Sequence, residues 1–229
     1  MGRHVKGSKV AAGSRPAVGS PPPAGRRYDA TGRRRASAQR RQEVLTAARS
    51  RFLTDGYVAT TVVQVAEDAG VSAELVYKSF RSKAGLARAV WDRALRGQQA
   101  RPAENRSDEV SSSATDPRVI LRNWAVLSAE VSEVGAPLHA MVRAAAQVDE
   151  GAAVLFEDIE RARARRMTHN AAYLLDGGHV RPGLTATQVR DVLMHASGEL
   201  YEAFVLRRGW DRDAYVEVTY RFLEGALLP

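Results

Sequence analysis

Residues Thr60 to Leu86 read TTVVQVAEDAGVSAELVYKSFRSKAGL. Two short apolar-periodic segments in this stretch are separated by Ala69-Gly70-Val71-Ser72, and a third begins at Ser82. In the first, Val62, Val65, Ala66 and Ala69 recur at helical spacing. Thr61 followed three residues later by Gln64 is a capping-box start, in which two side chains satisfy amides that the first turn leaves free. Gly70 supplies the left-handed residue that ends this helix. Ser72 caps the next helix, whose apolar face is Val76 and Phe80. A helix, a tight glycine turn and a second, short helix that is polar on one side form a helix-turn-helix, suited to a DNA major groove. Spacing alone fits an ordinary αα-hairpin as well.

The residue identities go further than the spacing. Phe52, Gly56-Tyr57, Thr60-Thr61, Ala66, Ala69-Gly70-Val71-Ser72, Val76-Tyr77, Phe80, Ser82-Lys83 and Leu86 resemble, in order and register, the DNA-binding signature of the tetracycline-repressor (TetR/AcrR) family. The resemblance runs from about Gln39 to Leu95. Val65, Leu75 and Gly85 depart from the family's usual Ile, Thr and Glu or Asp. The resemblance implies an all-α chain. A three-helix DNA-binding domain with a helix-turn-helix comes first, and a helical domain that binds a ligand and dimerises follows. It also implies that Thr61, Tyr77 and Lys83 hold phosphates while Ser72, Ala73, Glu74 and Lys78 face the groove, with Thr60 beside them.

Elementary chemistry agrees with those assignments. A helix N-terminus presents free amides and partial positive charge, and three such ends lie here, at Thr60-Thr61, Ser72 and Ser82-Lys83. Lys78 is able to donate to guanine and Glu74 to accept from cytosine N4. Alternatively, Glu74 compensates the helix dipole and Tyr77 is a buried ring.

Charge is unevenly placed along the 229 residues, whose net charge is +8. Residues 1–36 hold 9 Lys or Arg and 1 acid, residues 37–97 hold 10 and 6, and residues 98–229 hold 15 and 19. A basic first part and an acidic remainder suggest that only the first part meets a polyanion. Cysteine is absent, which excludes disulfides, Cys-ligated zinc and a catalytic thiol, and suits a cytoplasmic protein. No uncharged apolar run approaches the roughly 18 residues of a membrane span, so no membrane partner is expected. The arginine-bearing N-terminus has no apolar core of a signal peptide.

Three regions follow from this reading. Residues 1–36, rich in Gly, Pro, Ser, Ala and Arg, read as a disordered basic tail, either a DNA-contacting arm or a solvated extension. Residues 37–97 are the DNA-binding domain, with a first helix from about Ala38 to Thr54 and a fourth from Ser82-Lys83. Residues 98–229 are the sensing and dimerising domain, joined by a polar connection over 97–116.

In that last domain, Asp116-Pro117 starts a helix that Gly135-Ala136-Pro137 breaks near Val134, and a short helix follows. A long helix spans about Glu150 to Leu175, with Leu155, Ile159 and Ala162 inward and Arg161, Arg163, Arg165 and Arg166 largely outward. Glu157 and Arg161 form an i,i+4 pair. Two final helices run from about Thr187 to Arg207 and from Asp211 to Leu227. Their surplus of apolar residues suggests a homodimer interface through Leu193, Leu200, Phe204, Tyr215 and Phe222.

The resemblance implies a small-molecule site among the middle helices, which here carry Trp124, Met141, Phe156 and Tyr173 with polar Asn123, His139 and His169 interspersed. The same residues also make an ordinary core. His139, His169, His179 and His195 have no ligand spacing for a metal. Around His195, Ser197 and Glu199 no hydrolase motif occurs, so neither enzyme activity nor a cofactor is expected. The expected function is a transcriptional regulator, most simply a repressor released from a palindromic operator by a small-molecule effector. A ligand-independent regulator or an activator of the same fold is the alternative.

Overall fold

A computed structural model describes residues 1–2, 30–96, 103–112 and 114–229. Every regular element among the described residues is helical. Helix α1 spans Ala30–Thr54, α2 Gly56–Ala59, α3 Val62–Asp68, α4 Ala73–Phe80 and α5 Lys83–Arg96. Then come α6 (Ala103–Ser112), α7 (Pro117–Ala145), α8 (Glu150–Asp176), α9 (Ala186–Ser197), the single turn α10 (Glu199–Tyr201) and α11 (Arg212–Leu227).

The first helix begins earlier than its apolar stripe suggests. The helix includes residues 30–36, which the sequence places in a disordered tail, and the rest of that expectation lies outside the described residues. Phe52, Val65, Val76 and Leu86 are buried at the centre of α1–α5. This core continues into Leu138 and Val142 of α7 and Leu155 and Ile159 of α8. A second cluster joins α7, α8, α9 and α11 around Ile120, Leu121, Leu174 and Leu227. Helix α5 packs on α1, α7 and α8, so it touches both parts of the molecule.

Three elements differ from the sequence expectation. Helix α7 is continuous through Gly135-Ala136-Pro137. Pro137 removes one ladder hydrogen bond, but Ala136, Leu138 and Val142 are buried around it and hold the helix in line.

The polar connection contains α6. That helix is docked by polar contacts that apolar periodicity does not register. Arg106 pairs with Glu130 at 2.6 Å, Asp108 with Arg166 at 2.6 Å, and the Tyr173 hydroxyl donates to the Ser111 carbonyl.

The helix expected over 187–207 stops at Ser197. After Gly198 it resumes as α10 and then a π-helical turn over Glu202–Leu206. Side chains replace the lost ladder, as Ser132 Oγ donates to the Ser197 carbonyl and the Tyr215 hydroxyl to that of Ala196.

Candidate nucleic-acid interface and ligand cavity

The turn between α3 and α4 has the geometry its residues require. Gly70 adopts φ +63°, its N–H bonds to the Glu67 carbonyl, and the Val71 N–H bonds to that of Ala66. These two bonds are a Schellman closure. Thr61 Oγ1 accepts from the Gln64 N–H at 3.2 Å, and Gln64 Oε1 accepts from the Thr61 N–H at 2.9 Å. Ser72 Oγ accepts from the Leu75 N–H at 3.2 Å and so caps α4.

Helix α4 turns Val76 and Phe80 inward and leaves Glu74, Tyr77 and Lys78 exposed. Tyr77 is 50 % exposed, so its ring is not part of the core. Ser72 is exposed and Ala73 half-buried at the start of the same helix. Exposed Leu75 and Ser79, which the expected contact residues do not include, share this surface.

Two expected contact residues are engaged within the fold. Thr60 is 1 % exposed, and its hydroxyl donates to the Gly56 carbonyl at 2.7 Å, so its side chain faces the core. Lys83 Nζ donates to the Tyr57 carbonyl at 3.0 Å and lies 4.3 Å from the centre of the Tyr57 ring. Its ammonium therefore closes the short α2 turn and keeps only part of its donor capacity for a phosphate. Burial, reinforced by Asp149 at the start of α8, pushes the Tyr57 hydroxyl up to about 12.

Gly85 is set by the α4–α5 turn. A Cβ there would lie 2.1 Å from the Phe80 carbonyl oxygen. In this backbone a side chain at position 85 requires the α4–α5 turn to shift. Arg81 closes α4 at φ 68°, and Ser82 Oγ accepts from the Gly85 N–H.

A cavity of about 200 Å³ lies between α5, α6, α7, α8, α9 and α11. Of the expected pocket residues, Trp124 and His139 line it. The others do not. Met141 and Phe156 pack against the core shared with α1–α5. Tyr173 packs in the second cluster and bonds to Ser111. His169 is exposed, 3.2 Å from Asp108, and Asn123 lies outside the lining.

Among the wall residues that apolar content does not assign to a pocket are Trp91, Arg163, Arg166 and Asn170. Arg163 and Arg166 are each 16 % exposed, against 64 % for Arg161. Their positions continue the Ile159–Ala162 stripe at helical spacing, a signal that their charge masked. Arg161 itself pairs with Asp158 at 2.6 Å rather than with the Glu157 carboxylate.

At one side of the cavity, His139 Nε2 is 2.7 Å from Glu160 Oε1, which also accepts from Arg163 Nη1 at 2.7 Å. Burial alone would raise the Glu160 carboxyl. The His139 hydrogen bond and the Arg163 charge outweigh it and bring the group down to about 2.

Two of the residues expected at a dimer interface are filled by the subunit itself. Tyr215 is 0 % and Leu193 4 % exposed, both inside the core. Phe222 is 43 % exposed, and Phe204 is half-buried, stacked on Trp210 at 4.5 Å. Among the described residues no helix is long and apolar enough to cross a membrane, and no cluster of metal-ligating side chains occurs.

Residues 44–90 match the model of the family described as bacterial regulatory proteins, tetR family. This segment is a TetR-family DNA-binding domain. The matched segment contains the whole helix-turn-helix, with its caps, glycine turn and exposed α4 face.

Solved TetR-family structures resemble the chain over most of its length. NalD, the secondary repressor of the MexAB-OprM multidrug efflux pump in Pseudomonas aeruginosa, is 20 % identical with TM-score 0.66, over 84 % of this chain and 98 % of that one. The regulator FadR from Bacillus subtilis in complex with stearoyl-CoA is 16 % identical with TM-score 0.65, over 80 % and 96 %. The ketosteroid regulator KstR2 of Mycobacterium tuberculosis is 20 % identical with TM-score 0.58, over 83 % and 95 %. At these identities the likeness is one of fold. No curated protein matches the chain.

Proposed function

We propose that this regulator is a cytoplasmic repressor that binds a palindromic operator as a homodimer and is released by a small molecule. Residues 37–97 bind DNA, and residues 98–229 dimerise and sense. Amides at the starts of α3 and α4, with Thr61 and Tyr77, hold phosphates and set register. Ser72, Ala73, Glu74 and Lys78 face the bases, and Lys83 adds its remaining donor at the backbone. Leu200, Phe204 and Phe222 face the partner subunit.

The observation that carries this reading is the position of α5. Its first residue, Lys83, follows the recognition helix by a two-residue turn, while Trp91 and Leu95 near its other end line the cavity. A ligand that displaces Trp91 therefore moves a rigid rod attached to the DNA-reading surface. It acts only through a difference in affinity for the DNA-free and DNA-bound shapes. A difference of about 1–3 kcal/mol lowers operator affinity about 5–150-fold, and DNA lowers ligand affinity equally.

The test is a footprint on DNA upstream of the protein's own coding sequence, followed by an anisotropy titration of the protected site with and without cavity ligands. A symmetric footprint with half-site centres about 34–36 Å apart is expected. Protection without sequence preference, or operator affinity indifferent to every molecule that fills the cavity, would defeat the proposal.

A further inference from the structure

Four polar atoms in the cavity wall are buried without a hydrogen-bond partner, namely Trp124 Nε1, Arg166 Nε, Asn170 Oδ1 and Thr219 Oγ1. Trp124 and Asn170 are 6 % and 5 % exposed, so bulk water does not serve them. An unmet buried polar group is costly, and four around one cavity, two of them N–H donors, describe a site missing its occupant's polar end.

The charges in the wall give that end its sign. Among the described residues that line the cavity, Arg163 and Arg166 carry charge and none is a carboxylate. The acids behind the wall are already held, Asp108 by Arg166 Nη2, Glu160 by His139 and Arg163, and Glu199 by Arg163. A cationic ligand would meet two guanidiniums and no free anion. An anionic one meets two N–H donors without acceptors. Asn170 Nδ2 is 3.5 Å from Ser107 Oγ. Rotation of the amide, with the Ser107 hydroxyl turning from acceptor to donor, offers a third N–H.

Volume and lining define the remainder of the molecule. A cavity of about 150 Å³ holds benzene, and this one, at about 200 Å³, admits one ring system and not a long chain. Trp91, Trp124 and Leu223 supply flat and apolar walls.

We propose that the effector is a small aromatic or alicyclic monocarboxylate, its ring against Trp91 and its carboxylate on the orphan N–H groups of Trp124 and Arg166. The inference rests on the ligand-release reading above and names the ligand class of that cavity.

The test uses the full-length protein and calorimetric titration with 2-naphthoate, 2-naphthylmethylamine and dodecanoate. 2-Naphthoate is expected to bind at least about tenfold more tightly than the amine, since hydrogen bonds to a charged group are the strong ones. Dodecanoate is expected to bind more weakly than 2-naphthoate. Trp124→Phe keeps the ring and removes one N–H, and Arg166→Met removes the other. Each should weaken 2-naphthoate about tenfold and leave the amine unchanged. Trp124→Phe decides the matter should Arg166→Met, which frees Asp108, unfold the protein.

Equal or tighter binding of the amine, no binding of 2-naphthoate at millimolar concentration, or indifference of 2-naphthoate to Trp124→Phe would overturn the assignment. Selective binding of 2-naphthoate that leaves operator affinity unchanged would uphold the ligand class and overturn the release reading instead.

Discussion

Helices α3 and α9 begin with the same device. Thr61 with Gln64 and Thr185 with Gln188 form capping boxes with matching bonds, and their amide-to-glutamine distances are both 2.9 Å. The two helices end differently. Helix α3 closes on Gly70 in a Schellman turn, and α4 restarts at once from Ser72. Helix α9 runs into Gly198, breaks, and is held by Ser132, Arg163 and Tyr215 reaching in from α7, α8 and α11. The DNA-reading unit is thus punctuated by its own neighbours in sequence. The C-terminal part takes its boundaries from side chains far along the chain. One consequence is that a local change should have a local effect in the first region and a distributed one in the second.

The largest test of that contrast lies at the proposed subunit boundary. Phe222 is 43 % exposed on α11, outside the subunit core, whereas Tyr215 on the same helix is fully buried. Phe222→Asp should leave the subunit folded and cost several kcal/mol of association, because a charge is then buried against the partner. Sedimentation should show a folded monomer, and operator affinity should fall with it. A dimer that survives the change would move the interface away from α11.

Next in size is a change confined to the recognition turn. Gly85→Ala places a methyl 2.1 Å from the Phe80 carbonyl, a backbone atom that cannot swing aside. Overpacking of this kind costs about 1–3 kcal/mol. Because Phe80 ends α4, the strain should reposition the recognition helix and reduce operator affinity more than it reduces the melting temperature. Unchanged affinity in a stable variant would mean that the turn relaxes without moving α4.

These two regions also differ in how far they are legible from residues alone. Over Thr60–Leu86, caps, glycine and apolar face lie within a few residues of each other, and every helix boundary is readable. The exposed positions Ser72, Glu74, Tyr77 and Lys78 follow from the burial of Val76 and Phe80. The bonds of Thr60 and Lys83 to carbonyls of α2 are not legible in the sequence, because α2 is a four-residue helix with almost no periodic signal. In the sensing part, α6 was hidden because it docks through Arg106, Asp108 and Ser111. Pro137 was read as a break because its neighbours' burial is a tertiary fact. The cavity wall was only half legible, since apolar content selects Trp124 but not the arginines whose charge is neutralised by acids on other helices.

A smaller effect probes that neutralisation. Glu160 titrates at about 2 against an ordinary 4.5, so the folded state favours its ionised form. The sign follows directly. The stabilisation is complete above pH 4.5 and is lost as pH falls toward 2. Its size is about 1–2 kcal/mol once screening of a partly exposed carboxylate is included. Glu160→Gln should flatten the acid limb of the stability curve in that window and leave helix-turn-helix mutants additive with it. Acid unfolding that is identical with and without Glu160 would place the sensitivity in another carboxylate, such as Asp108.

The smallest prediction returns to the matched caps. Thr61→Ala and Thr185→Ala each remove one hydroxyl that accepts from an N3 amide, at 3.2 Å and 3.3 Å. The loss for a cap of this kind is about 1 kcal/mol, so both variants should lower the melting temperature by similar amounts. Their effects on DNA should separate. Thr61 is exposed at the start of the helix proposed to hold phosphate, and on that proposal its loss should weaken binding on every sequence alike and reduce the salt slope. Thr185 is exposed at a turn remote in sequence from the DNA-reading unit, and its loss should leave the salt slope unchanged. Equal stability losses with unequal salt slopes would show that the same local chemistry serves folding at one site and both folding and recognition at the other. A salt slope unaffected by Thr61→Ala would remove the α3 terminus from the phosphate contacts and leave α4 and α5 to hold the DNA backbone.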